Sequence, residues 1–92
     1  MQATKMIDLT LSKARFFDRF KDQLNDRQLK VLRKMFDAEP DGFEGGLTAK
    51  KYIAITKASK ATATRDLQLL VEMNILFPHG RGRSVYYTLT LL

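Results

Sequence analysis

The first apolar pattern in the chain repeats at helical spacing. Residues 8–23 predict an amphipathic helix on which Phe16, Phe17, Phe20 and Leu24 share one broad apolar face. The four side chains are large, so this helix needs a partner surface that covers them.

A second helix is predicted over residues 26–38. Asn25 is followed three residues later by Gln28, a pairing that caps a helix because each side chain accepts a hydrogen bond from the other residue's backbone N–H. The side chains predicted to face inward are Leu29, Leu32 and Phe36.

Two further helices are predicted after a glycine-rich loop. Thr48 suits the cap of a short helix over residues 49–55, and Ser59 suits the cap of a helix that reaches about Met73. The first of them is predicted to bury Tyr52, Ile53 and Ile55. At about 100° per residue, the second has an apolar face and a polar face. The apolar face holds Ala63, Leu67, Leu70 and Val71, and the opposite face holds Ala61, Arg65 and Gln68.

In the last part of the chain, apolar and polar residues alternate in the way that is typical of two paired strands. Residues 75–78 and 84–91 predict two strands around a tip at residues 79–82. Asn74 suits the left-handed residue that ends the preceding helix, and Leu47 is predicted to add a short extended segment. The residues predicted to share one face of the last strand are Val85, Tyr87, Leu89 and Leu91.

This order of elements predicts a winged helix-turn-helix. The fold class is mainly α with a small β-hairpin wing (α+β), and its three-helix core is preceded by an extra N-terminal amphipathic helix. We divide the chain into residues 1–24, the amphipathic helix and linker, and residues 25–92, the winged helix-turn-helix domain.

Charge adds a candidate partner to this picture. Residues 1–41 hold 9 Lys or Arg and 7 Asp or Glu, whereas residues 42–92 hold 7 and 3, within a net charge of +6. The basic residues of the second half cluster on consecutive elements, which favours a surface that faces a polyanion. A basic surface that only keeps a small domain soluble is the alternative.

Double-stranded DNA is the polyanion that a winged helix would contact. Small residues at the start of the last helix allow close approach to a duplex, and the glycine-flanked hairpin tip carries two arginines. The predicted DNA-binding residues are Lys60, Thr62, Thr64, Arg65 and Gln68 on the helix and Arg81 and Arg83 on the wing. Two simpler readings remain: Arg65 forms a solvated pair with Asp66, and the hairpin arginines only protect an exposed edge strand.

Other function classes find little support in the sequence. The chain has no cysteine, and its single histidine, His79, is predicted to lie in a surface turn without a metal or acid–base role. We therefore expect no metal, no cofactor and no small-molecule ligand. No apolar run approaches the roughly 20 residues that span a bilayer, so we expect no membrane association and a cytoplasmic location.

Four segments together carry a resemblance to a known family. They are "KARFFDRF", "LNDRQLKVLRKMFD", "FEGGLTAKKYIAITKASKATATRDLQLLVEMNIL" and "GRGRSVYYTL". In this order, over residues 13–91, they resemble the C-terminal winged-helix domain of Fic-family (filamentation induced by cAMP) proteins. The piece "SKATATRDLQLL" alone also resembles the helix-turn-helix of deoxyribose-repressor-type regulators.

The resemblance implies a parent family of enzymes that transfer AMP from ATP to protein hydroxyl groups. Their motif, H-x-F-x-x-G-N-G-R-x-x-R, is absent, and "PHGRGRS" shares only a histidine, a glycine and an arginine with it. We therefore expect this chain to be a non-catalytic appendage, or a relative of one, and not an enzyme.

Two departures from the family pattern bear on function. Leu69 stands where the family more often has a polar residue, whereas Asn74 stands where Gly is usual and leaves the same turn possible. An exposed Leu69 and Met73, together with the N-terminal phenylalanines, favour a second function, a protein-interaction or oligomerisation module. The predicted interface residues are Phe17, Phe20, Leu69 and Met73, and the predicted partners are a second copy of the chain or a Fic catalytic domain.

Overall fold

The computed structural model describes residues 13–39 and 42–90, which form four helices and one antiparallel hairpin. In chain order the elements are α1 (13–20), α2 (Asp26–Asp37), α3 (Ala49–Thr56), α4 (Lys60–Glu72), β1 (Leu76–His79), a 3-10 turn (Gly82–Ser84) and β2 (Tyr86–Leu89). This confirms a mainly helical fold with a small β-hairpin.

The predicted helix caps are present. The backbone N–H of Gln28 donates to Asn25 Oδ1 at 2.8 Å, and that of Asn25 donates to Gln28 Oε1 at 3.0 Å. Thr48 and Ser59 accept in the same way from Lys51 and Thr62 at the starts of α3 and α4. Local sequence signals therefore fix three of the helix starts.

Two residues with left-handed backbone reverse the chain after helices. Asn74 has φ of 60°, as predicted, and turns the chain from α4 into β1. Lys57 has φ of 63° and ends α3, a position where nothing in the sequence predicted such a conformation.

The hairpin pairs Leu76 with Leu89 and His79 with Tyr86. Leu47 forms an isolated bridge to Tyr87, which confirms the short extended segment predicted there. The strands differ from their predicted bounds, because β1 includes His79 and residues 82–84 form a 3-10 turn instead of starting β2. Leu91 lies outside the described residues.

One core joins the helices to the hairpin. Its buried apolar residues are Phe16, Leu24, Val31, Leu32, Met35, Phe36, Leu47, Tyr52, Ala63, Leu67, Leu70, Ile75, Leu76 and Leu89. The Phe16 and Phe36 rings lie 5.1 Å apart, so α1 packs on α2.

Several predicted core positions need correction. Val31 is fully buried although it was not predicted to face inward, because it lies beside Leu32 on a broad apolar face of α2. The residues predicted to be buried but only half-buried are Leu29, Ile53, Ile55 and Val71. Of the residues predicted to share one face of the last strand, Leu89 is buried, and Val85 and Tyr87 are half-buried. The described helix α1 ends at residue 20 and a turn covers 21–23, so the predicted end at residue 23 was too late; residues 8–12 lie outside the described part.

Candidate nucleic-acid interface

The start of α4 presents small and hydroxyl side chains. Ser59 Oγ accepts from the N–H of Thr62 at 3.2 Å and donates to Thr62 Oγ1 at 3.0 Å. Thr64 Oγ1 donates to the carbonyl of Lys60 at 2.9 Å. The Thr64 proton is therefore engaged within the helix, while Thr62 keeps its own hydroxyl proton for another acceptor.

The predicted polar face of α4 is exposed. Lys60, Arg65 and Gln68 are all exposed, Thr64 is exposed beside them, and Thr62 is half-buried. Among the described residues, the side chains of Lys60, Arg65 and Gln68 form no hydrogen bond or ion pair. These three side chains are therefore available to a partner.

The two remaining predicted residues lie at the hairpin tip. Arg81 and Arg83 are exposed, and the backbone N–H of Ser84 donates to the carbonyl of Arg81 at 3.0 Å. Gly80 has φ of 79°, and a Cβ there would lie 2.6 Å from the carbonyl oxygen of Ser84. Glycine is required at this tight turn, so it shapes the tip that displays the arginines.

The opposite side of α4 carries the feature that the sequence analysis missed. Asp66 is only 2% exposed, and its carboxylate accepts from Arg27 Nε at 2.8 Å, from the Tyr52 hydroxyl at 2.6 Å and from Asn25 Nδ2 at 3.1 Å. Gln28 Nε2 donates to the Asp66 carbonyl at 3.1 Å. We call Asn25, Arg27, Gln28, Tyr52 and Asp66 the polar cluster.

The polar cluster contradicts the interpretation of Arg65 and Asp66 as a solvated pair. Asp66 pairs with Arg27 of α2, 39 positions away in sequence, and faces the interior. The spacing could have revealed this, since Asp66 lies three residues after Ala63 and four before Leu70, both on the buried face.

Electrostatics explain why a buried carboxylate is tolerated here. Burial acts to raise the pKa of Asp66, but the hydrogen bonds from Arg27, Tyr52 and Asn25 outweigh it, so the pKa lies below its ordinary value. Burial also raises the pKa of the Tyr52 phenol, and donation to Asp66 raises it further. The carboxylate therefore stays ionised and the phenol stays protonated at neutral pH.

The polar cluster also sets which side of α4 faces out. It ties one residue of α4 to the start of α2 and to α3. Around the helix axis, Arg65 lies about 100° from Asp66, and Gln68 about 200°. Holding Asp66 inward therefore keeps Arg65 and Gln68 directed outward.

Burial of Asp66 changes the charge balance of the surface. Residues 45–90 contain seven Lys or Arg and only Asp66 and Glu72 as acids. Because Asp66 is interior, Glu72 is the one exposed carboxylate in this range. We call the exposed cations of α4 and the hairpin tip, Lys60, Arg65, Arg81 and Arg83, the basic surface.

One of the seven cations has a local role. Lys51 Nζ donates to the carbonyls of Glu44 and Gly46, the latter at 2.7 Å, and lies 5.9 Å from the centroid of the Phe43 ring. This lysine holds the turn before α3 and is not free for a ligand.

The predicted protein-interface residues lie in two places. Phe17 and Phe20 are half-buried on α1, where Phe16 lies 5.2 Å and 5.0 Å from their rings. Leu69 is 44% exposed on α4, as predicted, whereas Met73 is half-buried against the core and not exposed. Leu69 is therefore the most accessible apolar side chain of the set.

His79 differs from its predicted place. It is the last residue of β1, half-buried, with Nε2 2.8 Å from Thr88 Oγ1, instead of a surface turn residue.

No group of three or more His, Cys, Asp or Glu side chains within residues 13–39 and 42–90 is arranged to hold a metal ion. None of the helices in that part combines the length and apolar character that crossing a bilayer requires.

Comparison with known proteins adds no family. No protein-family model matches the chain, and no curated protein matches it.

Proposed function

We propose that the chain is a non-catalytic winged-helix module that binds double-stranded DNA in the cytoplasm. In this proposal α4 is the recognition helix, the β1–β2 hairpin is the wing, and the basic surface meets the phosphates. The observation that carries the proposal is the exposure of four unpartnered cations in a range with a single exposed carboxylate.

The arrangement of α4 supports major-groove contact. Arg65 and Gln68 are long, exposed side chains that can reach base edges, and the small residues Ala61 and Thr64 beside them leave room for the duplex. Thr62, whose hydroxyl proton is free, suits a phosphate at the capped start of the helix. Arg81 and Arg83 suit phosphate or minor-groove contact.

Titration of a fluorescent random-sequence duplex at two salt concentrations tests the proposal. We expect affinity that falls steeply with salt, and Arg65→Ala should weaken binding by about 1–3 kcal/mol. Arg15→Ala is the matched control, because Arg15 is also exposed but lies on α1. Undetectable or salt-insensitive binding, or equal losses in the two variants, contradicts the proposal.

A second candidate function is a protein-interaction or oligomerisation module that regulates or targets a Fic-type adenylyltransferase. The exposed Leu69 favours it, since a large apolar side chain on the outer face of a helix gains by being covered. Sedimentation velocity should then show self-association that Leu69→Glu abolishes. A monomer at all concentrations counts against the homodimer, leaving only a contact with a catalytic domain.

A further inference from the structure

The outer face of the hairpin carries an ordered group of aromatic rings. His79 stacks on Tyr86 with centroids 4.8 Å apart and planes 10° from parallel, and Phe77 meets His79 edge-on at 5.1 Å. Phe77 and His79 lie two positions apart in β1 and therefore share one face of the hairpin, and Tyr86 pairs with His79 on the neighbouring strand. We call Phe77, His79 and Tyr86 the aromatic face.

The aromatic face is open, whereas the other side of the hairpin is packed. Leu76 and Leu89, which pair with each other, are 2% and 6% exposed. Phe77 is 56% exposed and Tyr86 36%, the former being the most exposed large apolar side chain in the described residues. The core does not need these rings, so their exposure calls for another explanation.

The rings are held in place before any ligand arrives. Thr88 Oγ1 lies 2.8 Å from His79 Nε2 and fixes the imidazole, which in turn stacks on Tyr86. Tyr86 packs closely over Gly46, where an added Cβ would lie 2.5 Å from its ring. Preorganised flat rings lose little conformational entropy when a flat ligand stacks on them.

Charge and backbone together indicate the kind of ligand. Arg81 and Arg83 lie two and four residues after the end of β1 and are exposed without partners among the described residues, so an anionic ligand is favoured. Pro78 removes a backbone donor from β1, which makes this strand poorly suited to pairing with a strand of another protein. A nucleic-acid strand combines flat rings with negative charge, and its unpaired bases offer their faces for stacking.

We propose that the aromatic face binds unpaired bases of a single-stranded nucleic acid by stacking, while Arg81 and Arg83 contact its phosphates. This site shares Arg81 and Arg83 with the basic surface, but its stacking rings lie on the hairpin and not on the exposed face of α4, so base stacking does not depend on duplex binding by α4.

Paired oligonucleotides test the stacking directly. Fluorescence anisotropy compares an oligothymidylate with an abasic strand of the same length, which keeps the phosphates but lacks the bases. We expect the wild-type chain to prefer the oligothymidylate, and Phe77→Ala to weaken that binding about fivefold or more while leaving abasic binding unchanged. Equal wild-type affinity for the two strands overturns the proposal.

Two control variants separate stacking from general effects. Leu69→Ala removes another exposed apolar side chain, on α4, and should not change oligothymidylate binding. Phe77→Leu keeps apolar surface without a π face and should behave like Phe77→Ala. Full binding by Phe77→Leu, or self-association that depends on Phe77 without strand binding, overturns the proposal and assigns the face to protein contact.

The same experiment distinguishes this site from duplex recognition. Arg65→Ala should weaken duplex binding and leave the preference for oligothymidylate over the abasic strand intact, so either proposal can fail alone. The chain has three tyrosines and no tryptophan, and Tyr52 is buried, so a base bound at the aromatic face beside Tyr86 should quench tyrosine emission. That quenching should diminish in Tyr86→Phe.

Discussion

Arg65 and Asp66 are adjacent on α4 and meet opposite environments. Asp66 is buried and accepts hydrogen bonds from a side chain on α2, a side chain on α3 and the cap residue of α2, whereas Arg65 is exposed and pairs with no described residue. The polar cluster uses its charge to position a helix, and the basic surface leaves its charge available. Changes in the first should therefore alter stability, and changes in the second should alter binding alone.

The largest effect is expected from Asp66→Ala. It leaves the buried Tyr52 hydroxyl without an acceptor, while Arg27, whose side chain is 42% exposed, can turn to water. We expect a loss of about 3 kcal/mol in the free energy of unfolding, the low end for breaking a buried pair. Urea unfolding followed by far-ultraviolet circular dichroism measures it.

Two variants on the same helix serve as controls for Asp66→Ala. Glu72→Ala removes an exposed carboxylate, and Arg65→Ala removes the neighbouring cation. Both should stay within about 0.5 kcal/mol of the wild-type chain. A similar loss in all three would mean that the polar cluster adds nothing beyond ordinary surface effects.

A smaller loss is expected from Tyr52→Phe. The ring keeps its place in the core, but the 2.6 Å hydrogen bond to Asp66 disappears while Arg27 and Asn25 still donate to the carboxylate. Hydrogen bonds to charged groups contribute about 1.5–3 kcal/mol, so we expect a loss of about 2 kcal/mol in the free energy of unfolding.

Tyr86→Phe is the matched control for the lost hydroxyl. Tyr86 is exposed on the hairpin, and its hydroxyl has no hydrogen-bond partner among the described residues. The same urea titration should place this variant within about 0.5 kcal/mol of wild type. If the loss in the free energy of unfolding were equally small for Tyr52→Phe, the short contact between the Tyr52 hydroxyl and Asp66 would not be a stabilising hydrogen bond.

Local signals in the sequence were sufficient for the helices but not for the polar cluster. The Asn25–Gln28 capping box and the caps at Thr48 and Ser59 depend on residues a few positions apart, and all three are confirmed. The contact between Arg27 and Asp66 spans 39 positions and depends on how the helices cross. The sequence therefore left a solvated pair of Arg65 and Asp66 open as an alternative, although the helical phase of Asp66 is that of the core.

The hairpin shows the same limit. The alternation of apolar and polar residues predicted a pair of strands. The register that brings His79 onto Tyr86 depends on where the turn closes, and the sequence did not predict the 3-10 turn at Gly82–Ser84. The aromatic face was therefore invisible in the sequence, whereas exposure of Arg81 and Arg83 at the tip was predictable.

The smallest effect is expected in the pH dependence of stability, because burial of Asp66 partly offsets the hydrogen bonds that lower its pKa. The folded chain holds this pKa below that of the unfolded chain, which is about 3.9. The stabilisation is therefore complete above that value and is lost as the pH falls through it and through the lower folded pKa.

Asp66→Asn cannot titrate at this position, so its difference in unfolding free energy from wild type should narrow below about pH 4. Arg27→Gln, which removes the donor that lowers the pKa most, should decline less steeply with acid than wild type. A difference that stays constant or widens on acidification would show that the Asp66 carboxylate is not stabilised in its ionised form, and the polar cluster would then hold α4 by packing alone.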